Sequence, residues 1–154
     1  METEKTPDGD LETWTVDEVA AAYEKGEIAL VDVRTVQEYA LEHVPGALLL
    51  PLPFFDPGKL PSQEGKRLVF HCGSGVRSEK VGRMCLSAGV SPVAHMKGGF
   101  AAWKQAKKAY TGTDMATGAP KPVPAGCAAA PPVSRARPKP PAPRAVGGFV
   151  AGRR

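Results

Sequence analysis

Long apolar runs are missing from this chain of 154 residues. No stretch approaches the roughly 18 consecutive apolar residues of a bilayer-crossing helix, so no transmembrane segment is expected. Cysteine is scarce: Cys72, Cys85 and Cys127 are the only three, too widely spaced for a metal-ligand pattern or a disulfide framework. No metal is therefore expected, and no cofactor is expected either. The acidic start, Met1-Glu2-Thr3-Glu4-Lys5, has no hydrophobic segment behind it, which argues against a secretory signal. Free thiols without a disulfide pattern fit a reducing, cytoplasmic setting.

Negative charge is almost absent from one end. From Thr111 onward there are 7 Lys/Arg against one acid, Asp114, whereas residues up to Tyr110 carry 13 Lys/Arg and 15 Asp/Glu. The alkaline character of the whole chain, net +4, is thus a property of its last 44 residues. These residues also hold 9 of the 16 prolines and one aromatic side chain, Phe149. Such a segment buries too little apolar surface to offset its ordering entropy. Residues 111–154 are read as a disordered, basic, proline-rich tail, either simply solvated or a docking arm for a weak anionic partner. Residues 1–10 are read as a flexible arm and residues 11–110 as the one folded domain, a size typical of a domain.

Within that domain, strand-like and helix-like segments alternate. Thr15-Val16-Asp17-Glu18 and Thr35-Val36-Gln37-Glu38 are capping boxes, each opening a helix. Ile28–Val33, Ala47–Leu50, Leu68–His71 and Val93–Met96 read as short buried strands. Glu79–Ala88 and Gly99–Lys108 read as helices, with Val81, Met84, Cys85 and Ala88 forming one apolar stripe. Residues 51–61, with four prolines, read as a loop anchored by Phe54 and Phe55. The alternation predicts an α/β fold: a central parallel sheet with helices on both faces. In such sheets the functional site lies beyond the C-terminal strand ends. Asp32, His71, Cys72 and Lys97 all fall there.

The chemistry concentrates in His71-Cys72-Gly73-Ser74-Gly75-Val76-Arg77-Ser78. A cysteine between a strand end and a helix start faces free backbone N–H groups and the positive end of the helix dipole. Gly73 and Gly75 let the backbone curl so that successive N–H groups converge on one centre. A thiol held there loses its proton readily and becomes a nucleophile.

This loop resembles the active-site loop of the rhodanese family. Three further segments match in the family's order: Leu30-Val31-Asp32-Val33-Arg34, ending in Asp-x-Arg; Glu38-Tyr39 with His43-Val44-Pro45-Gly46-Ala47; and Lys97-Gly98-Gly99-Phe100-Ala101-Ala102-Trp103. The resemblance spans roughly residues 11 to 108 and implies a rhodanese-like fold. It implies a sulfurtransferase in which the Cys72 thiolate takes sulfane sulfur from thiosulfate or another persulfide donor, and passes it to cyanide, a thiol or a protein acceptor. Cys72 is the implied nucleophile. Gly73, Ser74, Gly75, Val76 and Arg77 form the anion-binding loop, and Asp32, Arg34 and Ser78 support it. Arg77 either meets the donor's anionic end or locks the loop through a carboxylate such as Asp32. Ser78 is read as the cap of the following helix. His43 is read as a turn-fixing residue, and His71 as packing on the face opposite Cys72.

Two departures from the family bear on the donor. Ser74 stands where some members carry a charge. Gln37 and Glu38 stand where two-domain thiosulfate enzymes place a substrate-binding arginine. Cysteine-dependent phosphatases and arsenate reductases, relatives of this fold, separate Cys and Arg by five residues. Only four separate Cys72 from Arg77, a smaller cradle. A non-catalytic interaction module is the other alternative. Cys85 is read as core rather than as a resolving thiol, and Cys127 either as unused or as a regulatory partner of Cys72.

Overall fold

The computed structural model describes residues 1–126. Its elements, in chain order, are β1 (Glu2–Thr6), β2 (Gly9–Trp14), α1 (Val16–Glu24), β3 (Ile28–Asp32), α2 (Val36–Leu41), β4 (Glu42–His43), β5 (Leu48–Leu49), β6 (Arg67–His71), α3 (Val76–Ser87), β7 (Val93–Met96), α4 (Gly99–Gln105), β8 (Tyr110–Thr113) and β9 (Pro120–Val123). Both capping boxes are formed. The Thr15 and Thr35 hydroxyls accept the N–H of Glu18 and Glu38, and those carboxylates return to the N–H of the two threonines.

Six strands make the main sheet in the order β1-β2-β7-β6-β3-β5. All neighbours are parallel except β1 and β2. Side chains alternate across the sheet, and each face buries its own core. On one face Ile28, Leu30, Val69, Ala94 and Met96 pack with Val19 of α1 and with Phe100 and Trp103 of α4. On the other, Val31, Phe70, Cys72 and Val93 pack with Val81, Cys85 and Leu86 of α3. This parity sends Cys72 toward α3 and its neighbour His71 toward α4.

Four local expectations change. The first residues are not a loose arm: β1 pairs with β2 from Glu2↔Thr13 to Thr6↔Gly9. The polar alternation of β1 hides it as a strand, because it is an exposed edge. The chain is also ordered past Thr111. β8 and β9 pair with each other, and β8 pairs with β4. Their turn is built by Asp114, whose carboxylate accepts the N–H groups of Ala116 and Thr117. The hairpin is held to the domain by Tyr110 edge-on to Phe100 at 5.7 Å and by the Thr113 hydroxyl donating to the Ala40 carbonyl. The remainder of the tail, including Cys127, lies outside the described residues. Phe54 is 76% exposed and anchors nothing, whereas Phe55 is buried edge-on to Phe70. Finally, α3 starts at Val76, three residues before the expected Glu79.

Candidate functional site

Strand β6 delivers Cys72 to the C-terminal edge of the sheet, and the chain turns at once into α3. Gly75 is the residue that permits the turn: it caps α3 with φ +103°, a backbone conformation that side chains disfavour. Its N–H donates to Cys72 Sγ at 3.1 Å. Ser78 therefore lies inside the first turn and does not cap it. Fully buried, its hydroxyl donates to the Gly75 carbonyl at 3.0 Å and also borders the sulfur, so its single proton serves one or the other.

Cys72 has no exposed surface. That burial is the largest single influence on its thiol and pushes the pKa up. Hydrogen bonds from the Ser78 N–H and hydroxyl and from the Gly75 and Ser74 N–H groups outweigh it, so the thiol sits below its ordinary range. Cys85, buried without such donors, is pushed up to about 12 and stays a protonated core thiol at neutral pH.

The loop is also held from α4. Phe100 N–H donates to the Cys72 carbonyl at 2.7 Å and Ala101 N–H to the Gly73 carbonyl at 2.9 Å. This approach requires Gly99, whose φ is +57° and where a Cβ would lie 2.3 Å from the Cys72 carbonyl oxygen. The segment Gly98-Gly99-Phe100 is thus a wall of the Cys72 loop as well as a helix start.

Arg77 pairs with Glu38, not with Asp32. Its Nη1 and Nη2 donate to the two oxygens of Glu38 at 2.8 and 2.7 Å. The guanidinium is the main reason that the Glu38 carboxyl falls to about 2. The role of Glu38 at this site is hidden in the sequence because the same residue completes the capping box of α2. Its signals there are its place in a segment that matches the family and among residues that bear on the donor.

Asp32 is occupied elsewhere. Its carboxylate accepts Arg34 N–H at 3.0 Å and Arg34 Nη2 at 2.7 Å, in a pair that is almost wholly buried. Arg34 also donates to the Glu42 carbonyl and lies over the Phe100 ring at 4.3 Å. The pair ties the β3–α2 turn to α4. His71 Nε2 lies 3.7 Å from Asp32, but burial lowers its pKa to about 4 and keeps the ring neutral. His43 stacks flat on Tyr39 at 4.2 Å, its Nδ1 2.8 Å from the Tyr39 carbonyl. His95 Nε2 meets the Thr13 hydroxyl at 3.0 Å. Gly73, Ser74 and Val76 supply backbone to the loop, and Val76 is 72% exposed. Among the described residues no group of acidic, histidine and cysteine side chains could hold a metal ion, and no helix is long and apolar enough to cross a membrane.

What the arrangement can do chemically is hold one nucleophilic sulfur anion inside a ring of N–H donors. Comparison with known proteins bears on the family and the fold. Residues 15–106 match the family described as the rhodanese-like domain. An uncharacterized protein of Synechocystis, slr1261, is 44% identical over 79 residues, 51% of this chain and 44% of its own length. A sulfurtransferase of Allochromatium vinosum is 31% identical over 77 residues, 50% of this chain and 72% of its own. Among solved structures, a protein of unknown function from Rhodopseudomonas palustris, described as a possible tyrosine phosphatase, superimposes with a TM-score of 0.53 at 30% identity. That match covers 62% of this chain and 81% of the other. The chain thus spans less than half the length of slr1261 and 72% of the Allochromatium sulfurtransferase.

Proposed function

The chain belongs to the rhodanese-like family, and from that premise we propose that it carries sulfane sulfur on Cys72 as a persulfide. Sulfurtransferases among its relatives support sulfur transfer at the level of the family. The observation that carries the finer reading is the Cys72 sulfur facing the Gly75 N–H at 3.1 Å in a loop that stabilises its anion. In the first half-reaction the thiolate attacks the outer sulfur of thiosulfate or of a persulfide donor. The donor's S–S bond breaks, and sulfite or the spent thiol leaves with the electron pair. The same N–H groups then stabilise the persulfide anion. In the second half-reaction a thiophilic acceptor (cyanide, a thiol, or a cysteine of a partner protein) attacks the outer sulfur and regenerates the Cys72 thiolate. A cytoplasmic site of action and a weak anionic partner for the basic C-terminal end belong to the same proposal.

Intact mass after incubation with thiosulfate and, separately, with glutathione persulfide tests it. One added sulfur that a reductant removes is expected on the wild type and not on Cys72→Ser. No added sulfur from either donor would overturn the reading in favour of an interaction module.

The likeness to the Rhodopseudomonas protein keeps phosphatase chemistry as a second reading. One observation weighs against it here: the four-residue spacing from Cys72 to Arg77. Hydrolysis of an aryl phosphate that Cys72→Ser abolishes would reverse that judgement.

A further inference from the structure

The sulfurtransferase reading leaves open which acceptor unloads the site, and any choice of acceptor rests on that reading. A cavity of about 280 Å³ adjoins the Cys72 loop on the side of β2 and β7. It is smaller than the roughly 300–1,000 Å³ of pockets that hold drug-sized ligands, which suits a small molecule. Ser74 and Gly75 form its wall toward the loop. The N–H groups of these same two residues hold the Cys72 sulfur, that of Gly75 at 3.1 Å. A persulfide adds one S–S bond of about 2 Å, so its outer sulfur stays within about 5 Å of the Gly75 nitrogen whichever way it points. Charge around the cavity is divided by sign. Lys97 lies just past β7, at the strand ends, while Glu4 stands lower on β1 and Glu79 one turn into α3. A single cation, Arg83, bridges Glu4 and Glu79 at 3.0 Å each, which leaves one negative charge in surplus. Lys97 meets Glu2 at 3.8 Å, a pair of largely exposed groups weak enough to exchange. Thr13 and His95, also on the cavity, carry no charge: they meet through the hydroxyl and Nε2, and burial lowers the His95 pKa. The His95 Nδ1 is buried without a hydrogen-bond partner among the described residues.

We propose that this cavity binds the sulfur acceptor, and that the acceptor is a small zwitterionic thiol of the amino-acid type, its carboxylate on Lys97 and its ammonium group on Glu79. The carboxylate takes the place of Glu2 on Lys97, and the ammonium group neutralises the surplus charge of Glu4 and Glu79. The acceptor's thiol gives its proton to solvent, and the thiolate attacks the outer sulfur of the Cys72 persulfide. A new S–S bond forms as the bond from that sulfur to Cys72 breaks. The electron pair returns to the Cys72 sulfur, a thiolate again under the loop N–H groups, and the acceptor leaves as its own persulfide. No outside oxidant or reductant is required. Lys97 and Glu79 bind the acceptor and take no part in the bond changes.

The test uses the full chain. Cys72 is loaded to completion with thiosulfate or glutathione persulfide, and the donor is removed by gel filtration. Discharge by cysteine, cysteamine or β-mercaptopropionate is then followed in quenched samples by mass of the Cys72 peptide. Cysteamine lacks the carboxylate of cysteine, and β-mercaptopropionate lacks its ammonium group. Comparing rate ratios between variant and wild type cancels the intrinsic reactivity of each thiol. Lys97→Gln is expected to lower the ratio of cysteine to cysteamine discharge about three- to fivefold, the effect of one partly exposed charge pair. Glu79→Gln is expected to lower the ratio of cysteine to β-mercaptopropionate discharge by a similar factor. A general disturbance of the loop would slow all three thiols and leave both ratios unmoved. Either ratio staying at its wild-type value in its variant would overturn the inference while leaving the sulfurtransferase reading intact. Failure of Cys72 to load from both donors would overturn the sulfurtransferase reading, and the inference with it.

Discussion

Ser78 offers the sharpest check on how the Cys72 anion is held. The residue is fully buried, and its N–H and hydroxyl are the foremost hydrogen-bonding influences that lower the thiol pKa against the opposing effect of burial. Ser78→Ala keeps the N–H and removes the hydroxyl. The change deletes one oxygen at a helical position where alanine is well tolerated, so the fold should survive. A hydrogen bond to a charged group is worth about 1.5–3 kcal/mol, which converts to about a ten- to hundredfold loss of thiolate at any pH below the midpoint. The sign is fixed by the chemistry: losing a donor to the anion moves the midpoint up. The assay is the rate of Cys72 alkylation by iodoacetamide as a function of pH. The reaction is read on the Cys72 peptide, which separates it from Cys127, and Cys85 stays protonated because its thiol is pushed up to about 12. An alkylation midpoint that stays put or falls in Ser78→Ala would refute the claim that the hydroxyl stabilises the anion. It would leave the Ser78 proton on the Gly75 carbonyl in both states of the sulfur.

The close approach of α4 to the loop predicts that Gly99→Ala is severely destabilising, by about 2–4 kcal/mol in urea denaturation, because the new methyl would meet the Cys72 carbonyl and the φ of +57° is unfavourable. An unfolding midpoint within error of wild type would contradict that packing. The neutral state of buried His71 predicts acid sensitivity. An unfolded histidine binds its proton near pH 6.5 and the folded one only near 4, so stability declines as pH falls through that window by about 3 kcal/mol. His71→Gln should flatten the slope of unfolding free energy against pH between those limits, and an unchanged slope would assign it to other groups. The hairpin β8–β9 predicts that residues 1–108 unfold more easily than residues 1–126. The shorter chain loses the Tyr110 ring on Phe100, the Ala109 carbonyl that accepts from Trp103 Nε1, and the Thr113 bond to Ala40. A loss of at least about 2 kcal/mol is expected in chemical denaturation, and equal stabilities would make the hairpin an ornament.

What could be read from the residues, and what could not, divides by the range of the interaction. The two capping boxes are legible because a threonine and a glutamate three positions apart satisfy each other without help from elsewhere. The core strands are legible because burial on both faces forces runs such as Ile28-Ala29-Leu30-Val31. The start of α3 is not legible, because its cap is a glycine with no side chain to announce it, and a serine two residues inside the helix mimics a cap. β1 and β9 carry alternating charge or proline at solvent-facing edges, and only their partners make them strands.

The same distinction explains the site. Cys72 and its glycines announce the proposed nucleophile locally, since a strand end, a turn and a helix start occupy consecutive positions. What decides the electrostatics around that nucleophile is not local. Glu38 is 39 positions from Arg77, and Phe100 and Ala101 reach back to the Cys72 and Gly73 carbonyls across β7. The parallel order β7-β6-β3 brings these segments together, because each of the three strands ends at the same edge and hands its next residues to the same few ångströms of space. A loop motif therefore picks out the sulfur proposed to react, whereas the partner of the loop's arginine comes from the helix that follows the neighbouring strand. That is why Glu38, read from its own segment as a capping residue, is also the side chain that pairs with the arginine of a loop 39 positions away.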